Sequence, residues 1–477
     1  MTITSPSRPR TDQHRPRFHL TPEATWMNDP NGLIRHDGAW HAFFQNNPFG
    51  STWGNMSWGH AVSEDLATWT HLPVALPCSE TEMIFSGSIV HDAANTSGLG
   101  APGEDGPLVA FYTSAYTPAH ATTPGIQAQS IAFSLDGGTT WDFYAENPVL
   151  TRDSENFRDP KVFFHPESGR WVMVTVEALD HAVHLHTSAD LLTWEPASTV
   201  THPGLDGGIW ECPDLLRVQV AGADGAPARE AWVLVISTNP GGPAGGSGTY
   251  AVIGDFDGTR FASDTSPVPL DLGQDCYAAV SFSGVDGDPV LLGWMNNWAY
   301  AEQTPTAPWR SAMTLPRTLH VEPDADGTLQ VIQHVIVPEG LRSVDLDVVD
   351  RDAAADGEPL QLDADEPFRL RGTLSPQGAR RVVLRFGAGQ AQRELVLGLD
   401  PEGHVVLDRG RAHLEPFAAD HSRSLPYIPR AGVADVAFDL VVDRSCVDLE
   451  LDGGRALVSQ QIFPAAATVA VHVERSA

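Results

Sequence analysis

Lysine is almost missing from this chain: Lys161 is the only one. Lys and Arg together number 29 against 61 Asp and Glu, a formal charge of −32. A surface of that sign repels phosphate backbones and anionic lipid, which argues against nucleic-acid and membrane partners. Cysteine is scarce too. Cys78, Cys212, Cys276 and Cys446 stand singly, without a CxxC pair, and read as reduced thiols rather than a disulfide framework. Nowhere do about 18 apolar residues run together, and Met1 to Leu20 lacks the roughly 7–15-residue apolar stretch of a secretory signal. The expectation is a cytoplasmic protein, although a chain shortened at that end would read the same. HExxH, Cys/His clusters, the Walker GxxxxGK[ST] and Ser-x-x-Lys are all absent, so zinc, nucleotide and lysine-activated serine chemistries find no residues. Nothing in the sequence speaks to oligomeric state.

What the chain does have is turns and tryptophan. Gly and Pro supply 43 and 37 of 477 residues and Trp 13, the profile of many short strands. A pattern recurs: Ser63-Glu-Asp65-Leu-Ala-Thr-Trp69, Ser134-Leu-Asp136-Gly-Gly-Thr-Thr-Trp141 and Ser188-Ala-Asp190-Leu-Leu-Thr-Trp194, with a fainter copy at Gly254 to Phe261. Each copy reads as a strand, an Asp-centred turn and a strand closing on an aromatic, spaced by about one four-stranded sheet. Repeated sheets of this size build a β-propeller. After Trp309 tryptophan disappears, and short alternating strands such as Arg381–Phe386 and Cys446–Leu451 suggest a β-sandwich. The expected architecture is therefore all-β, with a propeller over residues 1–335 and a sandwich over 350–477, joined between Val335 and Asp350.

Three acids stand in odd surroundings. Asp29, in Trp26-Met-Asn-Asp-Pro-Asn-Gly32, ends a strand where a propeller channel can receive it, or else makes a plain Asx-turn. Asp159, in Phe157-Arg-Asp-Pro160, has Arg158 beside it to hold it ionised, or forms a structural Arg–Asp pair. Glu211 lies between Trp210 and Cys212, apolar neighbours expected to raise its pKa, or is a satisfied buried glutamate. Three acids on different blades suit glycoside chemistry: one attacks, one donates a proton, one holds sugar hydroxyls. The loop Gly241–Gly248 is followed by a strand rather than a helix, so it reads as a blade loop and not a phosphate cradle.

The stretches Trp26–Gly32, Phe44-Gln45-Asn-Asn-Pro48, Trp53–His60, Phe85-Ser-Gly-Ser88, Phe157–Pro160, Trp210-Glu-Cys-Pro213 and Gly293-Trp-Met-Asn-Asn-Trp298 resemble, in order, the signature blocks of glycoside hydrolase family 32, the invertases, inulinases and levanases. The resemblance covers nearly the whole chain and is weaker in the sandwich. It implies a five-bladed β-propeller with a C-terminal β-sandwich and no metal or organic cofactor. It also implies Asp29 as nucleophile, Glu211 as acid/base and Asp159 as transition-state stabiliser. Asn28, Gln45, Trp53, Phe85, Ser86, Arg158, Asp275 and Trp294 would bind substrate. The family retains configuration, which fits two carboxyls about 5–5.5 Å apart.

Two departures stand out. Cys276, in Asp275-Cys-Tyr-Ala278, replaces a usual Phe and is expected to open the pocket rim, and Asp448 replaces a usual Glu, leaving a family contact unmade. The blocks look closest to exo-acting β-fructosidases of fructans. A β-fructofuranosidase acting mainly on sucrose, a fructosyltransferase and an inactive carbohydrate-binding protein are the competing readings.

Overall fold

The structure, a computed structural model, describes residues 13–475 apart from 104, 203, 206, 221–228, 348–358, 414–420, 431 and 465. The expected start of the second domain, residue 350, lies outside the described residues, as do residues 1–12. Five antiparallel blades follow in chain order, the last two joined by one parallel bridge, Val220 to Val321. Blade I holds Thr25–His36, Ala39–Asn47, Ser57–Ser63 and Thr70–Leu76; blade II runs from Glu82–His91 through Leu108–Tyr116 and Gln127–Ser134. Blade III holds Phe157–His165, Arg170–Glu177, Ala182–Ser188 and Glu195–Val200; blade IV runs from Ile209–Val220 through Arg229–Asn239 and Gly248–Phe256. Blade V is made of Tyr277–Ser281, Val290–Met295, Arg317–Pro323 and Leu329–Val335.

The first strand of each blade packs on the first strand of the next, and that of blade V packs on that of blade I, so five inner strands close a ring. Both faces of a blade are covered by its neighbours, which is why Leu108–Tyr116 is buried almost throughout instead of alternating. Apolar clusters fill the gaps between consecutive blades. Phe43, Trp58, Ile84 and Leu108 lie between I and II; Val109, Phe111, Val162 and Met173 between II and III. Trp26, Leu33, Tyr277 and Trp294 lie between V and I. The ring is fastened by Trp309–Arg310, which pairs in parallel with Thr25 and Trp26. The recurring Ser-x-Asp pattern is the turn from third to fourth strand: Asp65, Asp136 and Asp190 each accept a bond from the preceding Ser hydroxyl, at 3.0, 2.8 and 3.0 Å, in blades I, II and III. Asp257 holds the equivalent turn of blade IV, accepting from the N–H groups of Thr259 and Arg260.

Two further five-stranded sheets follow, one containing Phe368–Leu374 and Val436–Asp443, the other Ala379–Phe386 and Thr468–Arg475, around a shared core that includes Leu370, Leu384, Leu440 and Val471. This sandwich docks on the propeller through buried polar groups. Arg317 pairs with Asp271 at 2.9 Å and donates to Ser459 at 3.0 Å. His19 bridges Asp443 at 2.9 Å and Asp448 at 2.7 Å. Asp448 thus has a buried partner that its side chain reaches.

Candidate active site

Each inner strand breaks its pairing register near its start. The breaks fall between Met27 and Pro30, Phe85 and Gly87, Arg158 and Lys161, Glu211 and Asp214, and Tyr277 and Val280. A bulge bends the strand and re-aims side chains. Here it turns Asp29, Ser86, Asp159, Glu211 and Tyr277 toward one another. Asp159 and Cys212 hold left-handed backbone at φ 62° and 47°, an uncommon conformation for residues other than glycine. Gly87 is needed for blade II's bulge, since a Cβ there would stand 1.9 Å from the carbonyl oxygen of Phe111.

The acids are linked to one another. Ser86 Oγ donates to Asp29 Oδ2 at 2.7 Å, and the Cys212 thiol lies 3.6 Å from the same oxygen. The Cys212 N–H donates to Asp159 Oδ2 at 2.9 Å, while the Asp159 N–H donates to Thr113 Oγ1. Arg158 Nη2 reaches Glu211 Oε1 at 3.2 Å, its Nε lies 3.9 Å from Asp159, and Gln127 steadies its other nitrogen. The Tyr277 hydroxyl donates to Glu211 Oε2. Burial, then the Glu211 charge, raises the pKa of Asp29; its Oδ1 is enclosed with no protein hydrogen-bond partner, which adds to the cost of ionising it. Burial raises Asp159 also, against the pull of Arg158 and the Cys212 N–H. Burial and the neighbouring carboxylates push Cys212 and Tyr277 well up, so both stay protonated donors.

The expectation of an apolar setting for Glu211 is corrected. Trp210 packs between blades III and IV and Cys212 turns to Asp29, leaving the Glu211 carboxylate with Arg158 and Tyr277. In a bulged strand, sequence neighbours are not the neighbours of the side chain. Tyr277, Thr113, Gln127 and the Cys212 N–H were not singled out from the sequence. Tyr277 carries a signal within the Asp275–Ala278 block and Cys212 within Trp210–Pro213; Thr113 and Gln127 carry none.

The substrate-binding residues divide. Asn28, next to Asp29 in the chain, is buried and accepts from Trp26 Nε1 at 2.7 Å; Gln45 donates to Asn31 at 2.7 Å; Ser86 and Arg158 are placed as described. Trp53, 43% exposed, stands edge-on to Phe85 at 6.0 Å, and its backbone N–H donates to Glu302 Oε1 at 3.2 Å. Trp294 is fully buried behind Trp26 and donates to the Met27 carbonyl, so it backs the wall instead of facing the opening. Asp275 is brought to the sandwich rather than to the acids. It is fully buried, and Arg409, the Tyr300 hydroxyl and the Gln461 N–H take its oxygens. Cys276 likewise is not on the rim: it packs among Leu216, Val233, Ala251 and Leu291 between blades IV and V.

Residues 19–334 match the family model described as the glycosyl hydrolases family 32 N-terminal domain. The chain is 38% identical over 472 residues to a levanase of Bacillus subtilis, spanning 95% of this chain and 67% of that protein. It is 38% identical to an extracellular exo-inulinase of Aspergillus niger, spanning 94% and 90%. Among solved structures, the exo-inulinase of Aspergillus awamori superposes with a TM-score of 0.85 at 34% identity, over 96% of this chain and 95% of that one. A β-fructofuranosidase of Schwanniomyces occidentalis complexed with fructosyl-erythritol gives 0.82 at 29%, over 98% and 95%. A five-bladed β-propeller with a β-sandwich, the site geometry and these matches agree: the chain belongs to glycosyl hydrolase family 32.

Proposed function

We propose that this protein is a retaining, exo-acting β-fructosidase that removes terminal β-D-fructofuranosyl units from fructans, fructo-oligosaccharides and sucrose. The observation that carries the reading is the convergence of Asp29, Asp159 and Glu211 from three inner strands, with Arg158 bonded to Glu211. In the proposal the Asp29 carboxylate attacks the fructosyl anomeric carbon while Glu211 gives its proton to the departing glycosidic oxygen. Water then attacks the covalent fructosyl-enzyme, yielding its proton to Glu211 and freeing Asp29. Asp159 accepts from fructosyl hydroxyls, and its bond from Cys212 keeps it turned inward. Asn28, Gln45, Ser86 and Arg158 orient the ring, with Trp53 and Phe85 at its edge.

The catalytic unit is proposed to be the propeller to residue 335, with the sandwich as its support. A cytoplasmic address is part of the proposal, supported by four unpaired thiols. Cell fractionation tests it against the extracellular address in the names of relatives. Early products from sucrose, inulin and levan test the activity. Fructose as the early product from inulin and levan, and fructose with an equal amount of glucose from sucrose, supports the reading. Longer oligosaccharides first require an endo-acting cleft, and fructosyl acceptor products at low sucrose point to transfer.

A further inference from the structure

The chain's one lysine is buried on the propeller axis, below the acids. Lys161 Nζ donates to the Ser281 carbonyl at 2.6 Å and to Ser281 Oγ at 2.9 Å, and pairs with Asp214 Oδ2 at 3.0 Å. The same Asp214 oxygen accepts the Ser281 N–H at 2.7 Å and hydroxyl at 2.8 Å. Lys161 is 6% exposed and Asp214 fully buried. One cavity, lined by Ser86, Asp159 and Cys212, reaches Lys161 and Ser281 from the side of the acids; another, lined by Phe163 and Trp232, reaches Lys161, Asp214 and Ser281 from the opposite mouth.

The placement along the chain repeats. Lys161 follows Asp159 by two residues on blade III, Asp214 follows Glu211 by three on blade IV, and Ser281 follows Tyr277 by four on blade V. Each of those strands slips register between site residue and cluster residue, or immediately at them. A bulged segment is poorly held by its own ladder, so its end needs another anchor. A buried ion pair adds little net stability over an apolar filling, so its retention calls for a second reason. Lysine suits the place because its ammonium presents three separate donors to three oxygens, where a planar guanidinium cannot.

We propose that Lys161 is a positioning residue: with Asp214 and Ser281 it fixes the mutual spacing of blades III, IV and V, and so the placement of Asp159, Glu211 and Tyr277. This rests on the catalytic reading given above. Among the described residues the side-chain bonds of Lys161, Asp214 and Ser281 join blades III, IV and V alone, while blade II holds the backbone on either side of Lys161 through Ser88, which bonds the Pro160 carbonyl and the Val162 N–H at 2.9 Å each. Misplacement of the blade III to V side, which carries Glu211 together with Arg158 and Asp159, should therefore lower kcat far more than it raises KM.

Sucrose kinetics of Lys161→Met, Lys161→Met/Asp214→Leu and Ser281→Ala, assayed well below each Tm, test it. Expected are kcat losses of about 30-fold in the first two and about 5-fold in Ser281→Ala, with KM within about threefold, since shifts near 1 Å cost up to ~100-fold. Val109→Ala, in the core between blades II and III, should lower Tm with kcat unchanged. Wild-type kcat in the double variant would overturn the proposal, because packing alone would then suffice. Should neither lysine variant fold, Ser281→Ala decides, and an unchanged kcat there overturns it equally. An inactive natural protein would instead overturn the functional reading.

Discussion

The backbone N–H of Cys212 donates to Asp159 Oδ2 at 2.9 Å, so the residue after Glu211 on blade IV holds the carboxyl of blade III in place. Both residues adopt left-handed backbone to make the bond, and the Cys212 side chain then reaches Asp29 on blade I. A single residue thereby touches the other two acids.

Asp29→Asn and Glu211→Gln should each lower kcat on sucrose by at least about a thousandfold, the scale of removing a nucleophile or a general acid. The folded-state pKa of Asp29 is raised, so ionising it costs stability as pH rises through that value. Asp29→Asn should therefore be the more heat-stable protein at neutral pH, with the difference shrinking toward acid. Scanning calorimetry at pH 4 and 7 checks the sign; a less stable variant at pH 7 would contradict it.

The acid limb of kcat/KM should lie above the usual carboxylate range, because Asp29 must be ionised to attack and burial opposes that. Glu211 contributes to the shift through its charge. Against a fructosyl fluoride, which needs no proton donor to leave, Glu211→Gln should move that limb to lower pH. An unmoved limb would remove the coupling between the two carboxyls.

Released fructose should appear first as the β-anomer in NMR spectra, since two displacements retain configuration. An initial α-anomer would rule out a covalent intermediate.

His19 holds the segment before blade I to the sandwich. Burial alone would lower its pKa, but Asp443 and Asp448 outweigh that and raise it to about 9. Its stabilisation is then complete below pH ~6.5 and lost as pH climbs through about 9. His19→Gln should lose on the order of 3 kcal/mol at pH 6 and much less at pH 10. Denaturant unfolding at both values tests it, and an equal loss at both would show a packing effect only.

Cys276→Phe should lower stability by about 1–3 kcal/mol through overpacking. Because Cys276 lies between blades IV and V and not at the rim, the ratio of sucrose to inulin activity should stay at its natural value. A changed ratio with an unchanged Tm would return the residue to the pocket.

The blades were legible because the same local chemistry recurs: Asp65, Asp136 and Asp190 each stop a strand by accepting bonds from two N–H groups a few residues on. The acids stood out by their Pro and aromatic neighbours. Their surroundings did not, because Glu211 meets Arg158 from 53 positions away, and a register slip separates the chain neighbour from the neighbour in space. Asp275 and Cys276 share a block with Tyr277, yet only Tyr277 turns to the acids. A short motif crossing from the sandwich interface to the channel carries both roles in one line of letters.

The parallel pairing of Thr25 and Trp26 with Trp309 and Arg310 also sets an order of events during synthesis. The strand carrying Asp29 leaves the ribosome early, but its second neighbour is made almost 300 residues later. Until then blade I has an open flank, with Trp26, Met27 and Leu33 lacking the blade V residues that cover them. Such a non-local closure forms slowly, and the exposed flank is where an incomplete chain would associate with another. Enzymatic activity should accordingly appear only after the last blade has been translated, all at once and not in proportion to chain length.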